Sequence, residues 1–283
     1  MAVETQPQRP ILVTLSHAAA RIDCSDPTLR ERYASLLRHC SGSSRTPQVR
    51  FSVVETSEKR RRLEREMWTL YEGDDIDYLS HLLFHELLTS LIRKCSDSLI
   101  LHSGALARGG SGLLLCGESE SGKSTLSAWL TAAGFDYLTD ELAVVGLDGG
   151  SLKGLPRAIM LRRGSAFVLE HWLDEESRRS AIRFSKNTIA VDPETLRSDS
   201  VRRRVDPEAI CFPRYSPGEP LASRQLSSAE ATLRLIQVSA NAARLPEGGV
   251  PTAMALARRV ESFTLDYPDA ASAATWLESR VDG

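Results

Sequence analysis

The chain has 283 residues, 42% hydrophobic and 25% charged, which allows one large domain or a core domain with a smaller companion. Its 35 Lys and Arg against 37 Asp and Glu leave a formal charge of −2, so no global electrostatic pull draws it to nucleic acid or a membrane surface. Five scattered cysteines with no C-x-x-C argue against a disulfide framework or a zinc site and fit a reducing cytoplasm.

Residues 1–10 are polar, without the apolar centre of a signal peptide. Ile11–Leu15 has strand character. Asp26-Pro27-Thr28 opens a helix with Asp26 as N-cap, Pro27 in its first turn, and Leu29, Tyr33, Leu36 and Leu37 on one side. Residues 41–47 form a loop, and the alternation from Val49 to Thr56 predicts a second strand. The stretch 58–66 is too charged to assign by pattern. Met67–Tyr71 is a further strand, closed by a turn at 72–75. Leu79, Leu82, Leu83, Leu87 and Leu91 keep helical spacing in a long amphipathic helix from about Ile76 to Cys95. That helix is too short and polar to span a bilayer. His81 and His85, one turn apart within it, have no third ligand at a convincing spacing and are taken as surface or capping histidines. The arginine clusters at 60–62, 162–163, 178–179 and 202–204 are taken as solvated faces.

The central stretch begins with a strand at Leu99–Ala107 and a tight hairpin turn at Arg108–Gly112. The strand Leu113–Cys116 then runs into Gly117-Glu118-Ser119-Glu120-Ser121-Gly122-Lys123-Ser124-Thr125, which matches the phosphate-binding loop G-x-x-x-x-G-K-[ST]. The spacing has a chemical reason. Two glycines free the backbone, and the loop amides and the following helix N-terminus converge on one anion. Lys123 then reaches the outer phosphates, and the Ser124 hydroxyl can hold Mg²⁺. Glu120 places an acid in the same loop, where it repels polyphosphate unless it points away. The strand after the loop helix, 135–139, stops at Asp140-Glu141 and is followed by extended residues 142–145. This places two carboxylates at a sheet edge close to the loop in sequence. A phosphoryl-transfer site needs positioning, a metal and an acceptor for the nucleophile's proton, and these acids suit the last two jobs. A strand at 154–161, a short helix at 164–173, a charged flap or surface excursion at 174–208 and a core strand at 209–213 follow. A capped helix from Ser227 toward Asn241, helices at about 251–260 and 269–281, and a strand at 262–267 complete the chain.

The segment Leu101–Val145 resembles the catalytic core of HPr kinase/phosphorylase and its relatives. It has His102-Ser103-Gly104 on a strand, a short hairpin, the loop, and an acidic pair where that family usually has Asp-Asp. The intervals also fit, with 21 residues from His102 to Lys123 and 17 from Lys123 to Asp140. These are bacterial serine kinases with a fold like phosphoenolpyruvate carboxykinase. The resemblance implies an α/β fold: a mixed-sheet phosphate-loop core over about 96–283, with a smaller α+β part over about 1–95 that is a candidate for peptide recognition. It implies an ATP- and Mg²⁺-dependent kinase acting on a serine of a protein or peptide acceptor, cytoplasmic and as a possible homo-oligomer. It assigns the phosphates to residues 117–125, Mg²⁺ to Ser124 and Asp140, the base to Asp140, and a hydrogen bond between Glu141 and His102. Arg157, in Leu155-Pro156-Arg157, resembles a phosphate-contacting Pro-Arg strand. The Gly-hydrophobic pair usual in the family's loop is replaced here by Glu120-Ser121, and the signature tied to the reverse reaction is absent. Residues 1–95 resemble the lead-in of shorter HPr-kinase-related proteins, which points away from HPr as acceptor. A lasso-peptide precursor is an alternative acceptor, and a nucleotide-binding regulatory module without transfer is the reading from another class.

Overall fold

Three sheets carry the chain in a computed structural model that describes residues 9–41, 46–118, 121–169 and 182–281. The first comprises β1 (Ile11–Leu15), β2 (Ala18–Cys24), β3 (Val49–Glu55), β4 (Arg61–Arg65) and β5 (Trp68–Gly73), in that spatial order. Its pairs are antiparallel except β2–β3, which are parallel and joined through α1 (Pro27–Leu36). Asp26 caps α1 as its sequence predicts: its carboxylate accepts from the Leu29 amide at 3.1 Å, with Pro27 at the helix start. α2 (Ile76–Lys94) lays Leu79, Leu83, Leu87 and Leu91 on this sheet, in one core with Tyr33, Phe51 and Leu63. That core runs on into Ile100, Leu142 and Leu155 of the next layer.

β6 (Ser98–Arg108) and β7 (Ser111–Cys116) form the expected antiparallel hairpin, turned by Gly109 and Gly110 at φ 58° and 96°. After β7 come α3 (Lys123–Ala132), β8 (Asp136–Thr139), β9 (Leu142–Gly146) and β10 (Leu152–Gly154). β11 (Ile159–Arg162), β12 (Ile182–Ser185) and β13 (Thr188–Val191) make a small sheet of order β11-β13-β12, with the short helices α4 (Arg163–Ala166) and α5 (Pro193–Leu196) beside it. β14 (Arg204–Tyr215), β15 (Ala222–Gln225) and β16 (Glu261–Tyr267) complete an eight-stranded mixed sheet of order β10-β9-β6-β7-β14-β16-β15, with β8 paired to β6. Helices α6 (Ser228–Gln237), α7 (Val250–Arg259) and α8 (Ala270–Val281) fill the C-terminal third.

Alternation along β7 explains the layering. Leu113 and Leu115 pack with Leu126 and Leu130 of α3 and Leu277 of α8 on one face, while Leu114 and Cys116 pack with Leu235 of α6 and Leu256 of α7 on the other. Each such leucine contributes about 1.5–3 kcal/mol of burial, which anchors the strand that delivers the loop. Asn241 fixes the start of β6 from below: buried, it donates to the Cys95 and Ser98 carbonyls and accepts from the Ile100 amide. All five cysteines are buried and free. No described helix is long and apolar enough to cross a membrane.

The structure adds two strands that the sequence left unassigned and corrects four expectations. β2 is a strand although Ala18-Ala19-Ala20 gives weak β signal; its burial between β1 and β3 outweighs propensity. β4 is a strand in the charged stretch, because Arg61 and Arg62 meet Asp26 and Glu72. The expected strand 154–161 is interrupted: Pro156 cannot donate to a ladder, and residues 155–158 run irregularly between β10 and β11. Asp140 and Glu141 do not lie at a sheet edge. β8 and β9 pair end to end with β6, and β10 covers the far side of β9. The expected helix at 164–173 appears as α4 and a single turn over Phe167–Leu169, and residues 170–173 lie outside the described ones. Of the 174–208 excursion, residues 174–181 also lie outside, and the rest is the β12–β13 hairpin, α5 and the start of β14.

Candidate functional site

The loop leaves β7 at Cys116 and enters α3 at Lys123. Gly122 holds φ 90°, and a Cβ there would stand 2.3 Å from the Tyr267 hydroxyl oxygen, so sterics on both counts demand glycine. Lys123 folds back over the loop, donating from Nζ to the Gly117 carbonyl at 2.7 Å and the Glu118 carbonyl at 2.6 Å. Partial burial pushes its pKa down, while the nearby Cys116, Glu141 and Asp140 oppose that fall. The buried Ser121 Oγ has no hydrogen-bond partner among the described residues. Ser124 and Thr125 occupy the first turn of α3, half-buried. Ser119 and Glu120 lie outside the described residues, so the repulsion expected from Glu120 has no structural description.

The acidic pair sits where β8 passes into β9. The Thr139 hydroxyl oxygen accepts from the amides of Glu141 and Leu142, both at 3.1 Å, and so fixes the bend between the strands. Asp140 is 3% exposed, and its Oδ1 accepts from the Tyr137 hydroxyl at 2.9 Å. Arg157 Nη2 lies 3.6 Å from Asp140 Oδ1 and 2.7 Å from Glu141 Oε2. Burial raises the Asp140 pKa, and the Glu141 charge adds to the rise; Arg157, Tyr137 and Ser124 pull the other way. Ser124 is near enough to exert that influence, yet among the described residues the buried Asp140 Oδ2 has no partner that meets hydrogen-bond geometry. Burial also works against Glu141, but the contacts with His102 and Arg157 outweigh it and hold its pKa at about 2.

Lys123, Ser124, Asp140, Glu141, Arg157 and His102 therefore form one connected electrostatic group, with two departures from the expected roles. Glu141 Oε1 stands 3.7 Å from His102 Nδ1, an ion-pair contact longer than a hydrogen bond. Arg157 is buried and committed to the acidic pair and to the Ala158 carbonyl, which leaves it the counter-ion of the pair rather than a group reaching the loop.

Sequence reasoning missed Tyr137 and Tyr267. The first orients Asp140; the second lies under Gly122, its hydroxyl 3.4 Å from the Ser121 carbonyl. Tyr137 has a faint signal in retrospect, being three residues before Asp140 on a buried strand. Tyr267 has none, since only tertiary pairing of β16 with β14 brings it to the loop. His81 and His85 are exposed and belong to no potential metal group among the described residues. His39, Asp192 and Glu194 do come together, but Asp192 is already engaged as the cap of α5 and by His39 at 3.0 Å. Two open cavities, of about 290 and 560 Å³, contain none of the loop or acidic-pair residues; side-chain chemistry rather than cavity size locates the site.

The sequence matches no protein-family model and no curated protein. Among solved structures, the HPr(Ser) kinase/phosphatase from Coxiella burnetii is similar at a TM-score of 0.32 and 13% identity, over 65% of this chain and 93% of that one.

Proposed function

We propose that the protein is an ATP- and Mg²⁺-dependent kinase that transfers the γ-phosphoryl group to a serine hydroxyl of a protein or peptide. One observation carries the reading: a glycine-bounded loop with its lysine in place, and beside its Ser124 a buried carboxylate whose Oδ2 has no partner. An unpartnered buried carboxylate oxygen is costly unless something else binds it. A divalent cation or a substrate hydroxyl meets that need, so the donor set fits the metal.

Residues 117–125 would hold the phosphates and Ser124 the Mg²⁺, while Asp140, which the resemblance also places on the metal, would have its one free oxygen, Oδ2, for the acceptor hydroxyl. When bound, the metal supplies neutralisation of charge on the phosphoryl oxygens. The remaining work belongs to the chain. Lys123 exchanges two backbone carbonyls for phosphate oxygens at little conformational cost, since its side chain already lies over the loop. Asp140, with its proton affinity raised by burial, is suited to take the proton of an acceptor hydroxyl. Tyr137 occupies Oδ1 and leaves Oδ2 for chemistry. Glu141 and Arg157 hold the bend that aims Asp140. Residues 1–95 would recognise the acceptor and 96–283 would perform transfer. The exposed Met67 and Trp68 at the β5 edge offer an apolar contact for an extended peptide.

A second reading, a nucleotide-binding regulator without transfer, draws support from the burial of Asp140, because a base must reach its substrate. Incubation with γ-labelled ATP, Mg²⁺ and a library of serine peptides separates the two. Label on a peptide serine supports the kinase, and ATP binding without any acceptor label supports the regulator. Loss of ATP binding in Lys123→Ala is expected under either reading, and ATP affinity retained in that variant would remove the loop assignment.

A further inference from the structure

The arginine cluster at 202–204 divides in the structure. Arg202 pairs with Asp136 at 2.9 Å, whereas Arg203 and Arg204 have no carboxylate partner among the described residues. Both line the cavity of about 560 Å³ between the first sheet and the β10–β14 margin of the large sheet. Lys153, also without an acidic partner among the described residues, lines it as well, and no Asp or Glu does; His39, Thr14, Ser16 and Ser41 line it too but are already bonded to Asp192, the Cys40 carbonyl, Asp97 and the Leu12 carbonyl. Lys153 and Arg204 are direct cross-strand partners in the antiparallel β10–β14 pair. Like charges directly opposite each other destabilise a strand pair, so the fold carries a local cost at this position. The arginine cluster at residues 60–62, by contrast, is neutralised by Asp26, Glu58 and Glu72.

We infer that this cavity is a binding site, separate from the phosphate loop, for a small anion carrying two or more phosphate or carboxylate groups. Three cations line a concave space with no carboxylate in its lining, and such a ligand relieves the repulsion between Lys153 and Arg204. The volume suits a small molecule, and the cationic groups of Lys153, Arg203 and Arg204 supply the donors that its oxygens need.

Calorimetric titration of pyrophosphate and, separately, citrate into full-length Lys123→Ala protein tests this, since that variant removes the competing loop site. Saturable binding of either probe is expected, weakening with added salt. Adding Arg203→Gln and Arg204→Gln should lower that affinity at least tenfold, with a melting temperature equal to or above that of the Lys123→Ala parent. If the glutamine variant fails to fold, Lys153→Met reads the same site from the opposite strand. Phosphate and carboxylate ligands are told apart by which probe binds. Absence of binding in Lys123→Ala, or affinity unchanged by removal of these cations, would overturn the inference.

Discussion

Glu141→Gln isolates the electrostatic work of the acidic pair. The Glu141 carboxylate lies 2.7 Å from Arg157 and 3.7 Å from His102, and its pKa falls from 4.5 to about 2 against the opposing effect of burial. At about 1.4 kcal/mol per pH unit, that fall corresponds to roughly 3 kcal/mol of folding stability. The side chain is 36% exposed, and solvent screening reduces this to ~1–2 kcal/mol. The sign follows from a depressed folded-state pKa: the stabilisation is fully present above about pH 4.5 and is lost as pH falls toward about 2. Urea unfolding followed by fluorescence of the four tryptophans, at pH 7, 5, 4 and 3, measures it. The wild type should be more stable than Glu141→Gln by ~1–2 kcal/mol at pH 7 and 5, with the gap narrowing at pH 4 and 3. A gap that stays constant from pH 7 to 3, or a variant more stable throughout, would refute the argument that Arg157 and His102 outweigh burial.

Arg157→Met should cost about 3–5 kcal/mol in the same assay, because it leaves two partly or fully buried carboxylates without their counter-ion. Arg157→Lys should recover part of that loss, and a cost below about 1 kcal/mol would show that the pair is solvated. Gly122→Ala should lose at least ~2 kcal/mol through positive-φ strain and the clash with Tyr267. Tyr267→Phe in that background removes the clashing oxygen and should restore part of the loss; thermal melts of the single and double variants check both claims. Transfer activity, where present, should rise with pH as the raised-pKa Asp140 deprotonates, and a pH–rate profile that falls over the acid limb would contradict its role as base.

Local signals were readable where local physics decides the outcome. The N-cap at Asp26, the capping box of Ser227 and Glu230, the positive-φ glycines of the β6–β7 turn and the loop spacing all depend on a few neighbouring residues. The grouping of His102, Lys123, Asp140 and Glu141 was readable for a related reason: one hairpin and one helix connect them. What failed depended on partners distant in sequence. β4 is a strand because acids on other segments answer its arginines, and β15, exposed along its length, exists through its pairing with β16. Arg157 carried a motif signal, but its burial beneath the acidic pair depends on how residues 155–158 thread between α1 and β9. The Ala158 amide bonds the Leu36 carbonyl and the Leu155 amide bonds the Leu142 carbonyl. The placement of Tyr267 under Gly122 is likewise a product of sheet order.

The most direct test of the kinase reading uncouples binding from transfer at Asp140. With γ-labelled ATP, Mg²⁺ and a serine peptide that the wild type labels, Asp140→Asn should leave nucleotide affinity within a few-fold of the wild type while transfer falls by at least 10²-fold, as expected for loss of a general base. Transfer at the wild-type rate in Asp140→Asn would contradict the account.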